Sequence, residues 1–203
     1  MKIICVGRNY AAHAKELNNA VEEEPVIFMK PETALIPAKF PFFYPEFSTD
    51  IHYETELVIK INRIGKNISE KFAHRYYDEV SLGIDFTARD LQSKLKAKGL
   101  PWERAKAFDG SAPVGDFIPL KDAGNIDDLH FTLLVNDEVR QSGHSANMIF
   151  TVDKIIAFVS TFVTLKKGDL IFTGTPEGVG PVKPGDKLTA LLGDKQLLSF
   201  DIK

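Results

Sequence analysis

The sequence predicts an α+β fold in which strands dominate and a few helices are scattered among them. Three observations carry this. Residues 54–62 read Glu-Thr-Glu-Leu-Val-Ile-Lys-Ile-Asn, rich in β-formers, and the end of the chain returns to similar runs between turn residues. Residues 151–165 hold Ile155, Ile156, Phe158, Val159, Phe162 and Val163 on a 3.6-residue stripe, so one clear helix is expected there. Strands and helices do not alternate, which argues against a doubly wound parallel sheet.

Taken in order, the apolar start Met-Lys-Ile-Ile-Cys-Val is a buried strand ended by Gly7-Arg8-Asn9. Residues 11–17 suit a short helix stopped by Asn18-Asn19. Glu22-Glu23-Glu24-Pro25 makes 18–25 an exposed loop, and 26–29 is a short strand closed by Lys30-Pro31. Pro37, Pro41 and Pro45 among phenylalanines predict an irregular packed segment over 37–49. Residues 68–77 read as a weak helix, 80–87 as an apolar strand, and 89–98 as a helix stopped by Gly99-Leu100-Pro101. Residues 131–135 and 138–141 form a hairpin around Asn136-Asp137. Thr151 or Asp153 caps the 151–165 helix, and Lys166-Lys167-Gly168 ends it. Strands over 170–173, 187–192 and 197–202 follow, with turns at Gly185-Asp186 and Gly193-Asp194.

The chain has 203 residues, enough for a single domain over 1–203 with a real core. Hydrophobic residues at 44% and charged residues at 26% exclude disorder as the dominant state. A net charge of −3 gives no footprint for nucleic acid or an anionic membrane. No stretch approaches the roughly 18 apolar residues of a membrane span. The lone Cys5 forbids an intrachain disulfide, and with no signal peptide the expected location is cytoplasmic. No two of the five histidines lie at i, i+2 or i, i+4, so H-x-H and H-E-x-x-H metal motifs are absent. A metal, if bound, is expected on carboxylates and to be hard.

Five local patterns carry chemistry. Glu54 and Glu56 alternate on one strand face, either as a solvated polar face or as a cation site, and His52 shares that face. Asp85 lies in an otherwise apolar strand before Arg89-Asp90, so it is paired with arginine or a helix N-terminus, or shares a cation with the glutamates. Lys106 sits among aromatic residues, where lysines usually snorkel. Residues 173–180, Thr-Gly-Thr-Pro-Glu-Gly-Val-Gly, form a turn or a loop whose backbone approaches a ligand; neither a Walker loop nor a dinucleotide fingerprint is present. His13 and Glu16 share a helix face at i, i+3, as a surface pair or a tuned dyad.

Their order along the chain, Gly7-Arg8-Asn9-Tyr10-x-x-His13-x-x-Glu16, Tyr53-Glu54-x-Glu56-Leu57, Gly83-x-Asp85-x-Thr87-x-Arg89-Asp90-x-Gln92, Lys106-x-Phe108-Asp109 and Thr173-Gly174-Thr175-Pro176-x-Gly178-Val179-Gly180, closely resembles the short single-domain branch of the fumarylacetoacetate hydrolase family. The resemblance implies a mixed β-roll with a few short helices, usually a homodimer. It implies Glu54, Glu56 and Asp85 as ligands of Mg2+ or Mn2+, and Lys106 as a catalytic lysine beside the metal. His13 and Glu16 match a water-activating dyad on a lid. Gln92 and Thr175 match substrate-binding positions, and Arg89 and Asp90 match the pattern as substrate-contacting or bracing residues. The implied activity is metal-dependent hydrolysis of the C–C bond of a 2,4-dioxo acid, an acylpyruvate or fumarylpyruvate, through a pyruvate enolate. Alternatives are oxaloacetate decarboxylation, tautomerisation or isomerisation on a small 2-oxo acid, and, more remotely, a non-catalytic binder. The chain departs from the family pattern before Met148-Ile149-Phe150 and in its short acidic stretch 18–24, both of which bear on substrate identity.

Overall fold

The computed structural model describes residues 1–16, 22–37 and 40–203. The described strands are β1 (Ile3–Gly7), β2 (Val26–Lys30), β3 (Leu35–Pro37), β4 (Ile51–Tyr53), β5 (Thr55–Ile61), β6 (Tyr77–Ile84), β7 (Thr87–Ala88), β8 (Ala112–Val114), β9 (Ile118–Pro119), β10 (His130–Val135), β11 (Glu138–His144), β12 (Leu170–Phe172), β13 (Gly180–Pro181), β14 (Lys187–Leu192) and β15 (Lys195–Asp201). The helices are short: α1 (Ala11–Glu16), α2 (Glu70–Ala73), α3 (Arg89–Ala97), α4 (Glu103–Lys106), α5 (Leu120–Ala123) and α6 (Val152–Ser160). The expected α+β class holds.

The main sheet runs β2-β1-β12-β5-β6-β8-β3, with β9 beside β6. It is mixed: β1 pairs parallel with β12, while β5 pairs antiparallel with both β12 and β6. β1, β12 and most of β5 and β6 are buried on both faces, which explains their nearly continuous apolar runs. Gly83 permits close packing at this centre, since a Cβ there would lie 2.7 Å from Phe172 and 2.8 Å from Val58. A second, antiparallel sheet runs β11-β10-β14-β15, and a small third sheet runs β13-β4-β7. The β10–β11 hairpin turns on Asn136 and Asp137 at φ 54° and 64°, the left-handed pair of a two-residue hairpin turn.

Two chain breaks position the site. Glu54 separates β4, in the small sheet, from β5, in the large one. Asp85 and Phe86 separate β6, in the large sheet, from β7, in the small one. The chain thus crosses between sheets twice at the same level, and Asp85 stands just past the strand rather than inside it as expected.

Other expectations are corrected. α6 stops at Ser160, not Leu165. The Ser160 and Thr161 hydroxyls donate to the carbonyls of Ala157 and Phe158, and Leu165 exchanges both backbone hydrogen bonds with Gly65 instead of continuing the helix. The start is as predicted, with Thr151 accepting from the Lys154 amide. The 68–77 stretch is reduced to α2 and a 3-10 turn, because β6 already begins at Tyr77. The 37–49 segment is irregular but only partly packed: Phe42 is buried, whereas Phe40, Phe43 and Phe47 are exposed. Leu17, the Asn18-Asn19 stop and residues 20–21 of the expected loop lie outside the described residues.

Candidate metal and substrate site

Glu54, Glu56 and Asp85 converge at the double crossing between the sheets. All three are buried, and each offers a carboxylate oxygen within 4.8 Å of the others. The Asp85 amide donates to the Glu54 carbonyl at 2.8 Å, which sets the spacing of two of them. Glu56 follows two positions after Glu54, so β5 turns its side chain to the same side.

Three buried carboxylates need cationic or hydrogen-bonding partners. Lys106, at the end of α4, is 2.7 Å from Glu54 Oε2 and 2.6 Å from Asp85 Oδ2. It is buried and ion-paired rather than snorkelling. Arg89, opening α3, donates to Glu54 Oε1 and Gln92 Oε1, both at 2.6 Å. Among the described residues no cation pairs with Glu56; its Oε2 accepts the Gly174 amide at 2.7 Å. Gly174 is at φ 99°, and a Cβ there would come within 2.6 Å of Asn9 Cβ, so this close approach requires glycine.

The electrostatics separate the two glutamates. Burial raises the Glu54 pKa, but the charges of Lys106 and Arg89 outweigh it and hold the group well below the usual carboxylate range. Glu56 is pushed well above that range, first by burial and then by the negative Asp85. Burial lowers the Lys106 pKa, yet Asp85 and Glu54 together raise it. Lys106 is therefore a charged donor, not a base.

The proton-handling pair lies at the cavity wall. His13 Nδ1 is 3.1 Å from Glu16 Oε2, and Glu16 Oε1 accepts the Gly178 amide at 3.1 Å. The His13 side chain is buried and faces the same cavity as the carboxylates. Arg89, Gln92, Lys106 and Thr175 line it too, so every residue expected at the site is brought there except Glu16, which holds His13 from behind. The space between these side chains and the open mouth amounts to about 450 Å³, open solvent included.

Other expectations resolve differently. Asp90 turns away and accepts from Ser48 Oγ and the Leu91 amide, so it braces α3. His52 contacts Asp50 at 2.9 Å and does not line the cavity; burial, then Arg89, lowers its pKa. The exposed cluster of Asp128, His130 and His144 stacks its two imidazoles at 3.9 Å on the β10–β11 hairpin, away from this cavity.

Three buried residues were missed. Lys30, which looked like a strand terminator, lies 2.7 Å from Asp85 Oδ1 and donates to Ser111 O and Oγ at 3.0 Å. Asn9 donates to the carbonyls of Phe150 and Thr173 and accepts the Phe150 amide, tying the start of α1 to the glycine loop. Gln141 accepts the Thr55 amide and donates to Thr175 Oγ1 at 2.8 Å. A polar residue at the edge of an apolar run was the only signal available for Lys30; Asn9 stood in the quoted pattern without an assigned role, and Gln141 gave no signal.

The donor set fits a hard divalent cation. It consists of three buried carboxylates and, among the described residues, lacks sulfur or imidazole among its closest members. Each carboxylate oxygen accepts at two positions, so the lysine and arginine contacts leave room for an ion.

Comparison with known proteins agrees with this geometry. The family model for the fumarylacetoacetate (FAA) hydrolase C-terminal domain matches residues 2–200. The mitochondrial oxaloacetate tautomerase FAHD1 of Mus musculus is 43% identical over 201 residues, covering 99% of this chain and 91% of that protein. The oxaloacetate tautomerase YcgM of Escherichia coli K12 is 44% identical over 189 residues, covering 93% and 86%. The crystal structure of fumarylpyruvate hydrolase from Pseudomonas aeruginosa in complex with Mn2+ and pyruvate superposes with a TM-score of 0.94 at 38% identity, covering 100% and 89%.

Proposed function

Because this chain belongs to the fumarylacetoacetate hydrolase family, we propose that it is a divalent-metal-dependent oxaloacetate tautomerase, interconverting the keto and enol forms of that diacid. The observation that carries this is near full-length identity above 40% to oxaloacetate tautomerases, joined to an intact three-carboxylate site. It supports tautomerisation, the alternative reading of the sequence, over the C–C bond hydrolysis put first there.

Glu54, Glu56 and Asp85 would hold Mg2+ or Mn2+. When bound, that ion supplies a Lewis acid for a 2-oxo acid and stabilises charge developing on the 2-oxo oxygen. The chain's own groups divide the remaining work. Lys106, charged and fixed by Glu54 and Asp85, donates a hydrogen bond toward that oxygen. His13 moves the proton to and from C3, and Glu16 holds the imidazole in one orientation. Arg89, Gln92 and Thr175 position the acid. No water is consumed and no carbon is lost.

A second reading is favoured by one contact. Glu16 is fixed by the Gly178 amide, an arrangement that also suits His13 to deprotonate water for cleavage of an acylpyruvate or fumarylpyruvate. A non-catalytic binder is disfavoured, since nothing in the set of Glu54, Glu56, Asp85, Lys106, His13 and Glu16 is missing. The homodimer is part of this proposal, supported by the apolar surface exposed at Phe40, Phe43 and Phe47, and sedimentation tests it. So is a cytoplasmic location, supported by the single buried Cys5 and tested by cell fractionation. We read 1–203 as one catalytic domain, consistent with the family match over residues 2–200.

The deciding experiment follows the enol absorbance of oxaloacetate with Mg2+ or Mn2+ and identifies products by mass. Faster enol decay with unchanged mass supports tautomerisation. Loss of carbon dioxide, or cleavage of acylpyruvates without effect on oxaloacetate, overturns it.

A further inference from the structure

Gln141 is a polar residue in a buried place where an apolar one would ordinarily stand. β11 is exposed at Glu138, Val139, Arg140 and Ser142, and Gln141 is buried among them. The β10–β11 pairing slips beside it. Leu133 faces Gln141 while Leu134 faces Val139, so Arg140 is the extra residue of a β-bulge. Bulges re-aim side chains, and here the glutamine makes its contacts outside its own sheet. The glycine loop rests on this bulge. A Cβ at Gly178, where φ is 90°, would lie 2.4 Å from the Arg140 carbonyl oxygen and 3.5 Å from Gln141 Cγ.

Three contacts fix which way the Gln141 amide faces. The Thr55 backbone amide can only donate, so Oε1 is the atom beside it, at 2.9 Å. The Pro176 carbonyl can only accept, so Nε2 faces it, at 3.0 Å. The same Nε2 donates to Thr175 Oγ1 at 2.8 Å. The Thr175 hydroxyl therefore spends a lone pair on Gln141 and keeps its own proton. Among the described residues nothing accepts that proton. Thr175 is buried and lines the cavity with the three carboxylates, whereas Gln141 stands behind the cavity wall. A hydroxyl held in this way presents a donor to an anion; a freely turning one could present its lone pairs instead.

We propose that Gln141 is a positioning residue: it fixes the Thr175 hydroxyl as a hydrogen-bond donor to a carboxylate oxygen of the bound acid. This rests on the proposed function for the kind of ligand, a 2-oxo acid held beside a divalent ion. It brings the second sheet into a site whose carboxylates come from the crossing between the other two.

The test is binding rather than turnover. Titration calorimetry follows oxalate, which carries the carboxylate and is not turned over, into the Mn2+-loaded protein. Thr175→Val, nearly the same shape without the hydroxyl, is expected to bind oxalate at least about tenfold more weakly, the usual size of a hydrogen bond to a charged group. Thr175→Ser restores most of that affinity. Gln141→Glu keeps an acceptor for the Thr55 amide but sets another acceptor against Thr175, so the hydroxyl proton turns away from the ligand and affinity falls by a similar factor. In the Thr175→Val background the same change costs about twofold at most, because the group through which Gln141 acts is gone. A buried charge or a loosened loop would cost the same in both backgrounds. Gln141→Met, uncharged and of similar length, repeats the cycle if the glutamate prevents folding; it frees the hydroxyl rather than reversing it and shows the same coupling in smaller measure. Unchanged affinity in Thr175→Val, equal losses in the two backgrounds, or no oxalate binding by the wild type overturns the inference. Coupling between the two positions in a protein that leaves oxaloacetate untouched would sink the tautomerase reading and leave this one standing.

Discussion

The Asp85 amide donates to the Glu54 carbonyl at 2.8 Å, joining the two points where the chain passes between sheets. The carboxylates of the same two residues also share the ammonium of Lys106. Backbone and side chains therefore fix one spacing twice. Among the described contacts, Glu56 is the member of the set held by a backbone amide alone.

Replacing Glu56 with Gln keeps an acceptor for the Gly174 amide while removing a carboxyl whose ionisation is disfavoured by burial and by Asp85. The metal-free variant is expected to melt about 2–4 °C higher, the shift for about 1 kcal/mol in a domain this size. Its affinity for Mn2+ should fall at least about tenfold. Differential scanning calorimetry and metal titration measure both; a lower melting temperature would contradict the electrostatic reading.

Metal uptake should release a proton. The Glu56 pKa is raised in the folded, metal-free protein, so this carboxyl keeps its proton above the ordinary carboxylate range. The ion displaces it, and affinity weakens as pH falls. The sign for stability is opposite. A raised carboxyl contributes stability below the unfolded pKa, and the metal-free fold loses it as pH rises through the folded value. Titrations in buffers of differing ionisation enthalpy count the protons; none released would refute the assignment.

Lys30→Met tests the buried pair with Asp85. Removing one partner leaves a buried carboxylate under-compensated and the Ser111 acceptors without their donor. The expected loss is about 3–5 kcal/mol, read from urea unfolding. A loss below about 1 kcal/mol, the scale of a surface pair, would show that Lys106 alone neutralises Asp85.

His13→Ala should lower kcat for oxaloacetate tautomerisation about 10²–10⁴-fold, the usual contribution of a positioned acid–base group. Mn2+ affinity should stay unchanged, since His13 is not among the three clustered ligands. Unaltered kcat would remove His13 from proton transfer.

Much of the site was legible because its chemistry is local. The alternation of Glu54 and Glu56, the isolated Asp85 and the i, i+3 spacing of His13 and Glu16 are features of short segments, and these residues do come together, although Glu54 and Asp85 stand at strand ends rather than inside strands. What was not legible depends on partners far away in the chain. Lys30 meets Asp85 across 55 positions, and Gln141 meets Thr55 across 86. The 151–165 helix was overextended for a related reason. Apolar periodicity persists to Leu165, but Leu165 is buried through its bridge to Gly65, a contact no helical period encodes.

The placement of Arg89, Gln92 and Lys96 along one helix has a consequence for how such enzymes diversify. One end of α3 is tied to Glu54 through Arg89, while Lys96 at the other end lines the mouth of the cavity. An exchange at the outer end would change the lining of the doorway while the inner end keeps its grip on Glu54, so the two ends can vary independently.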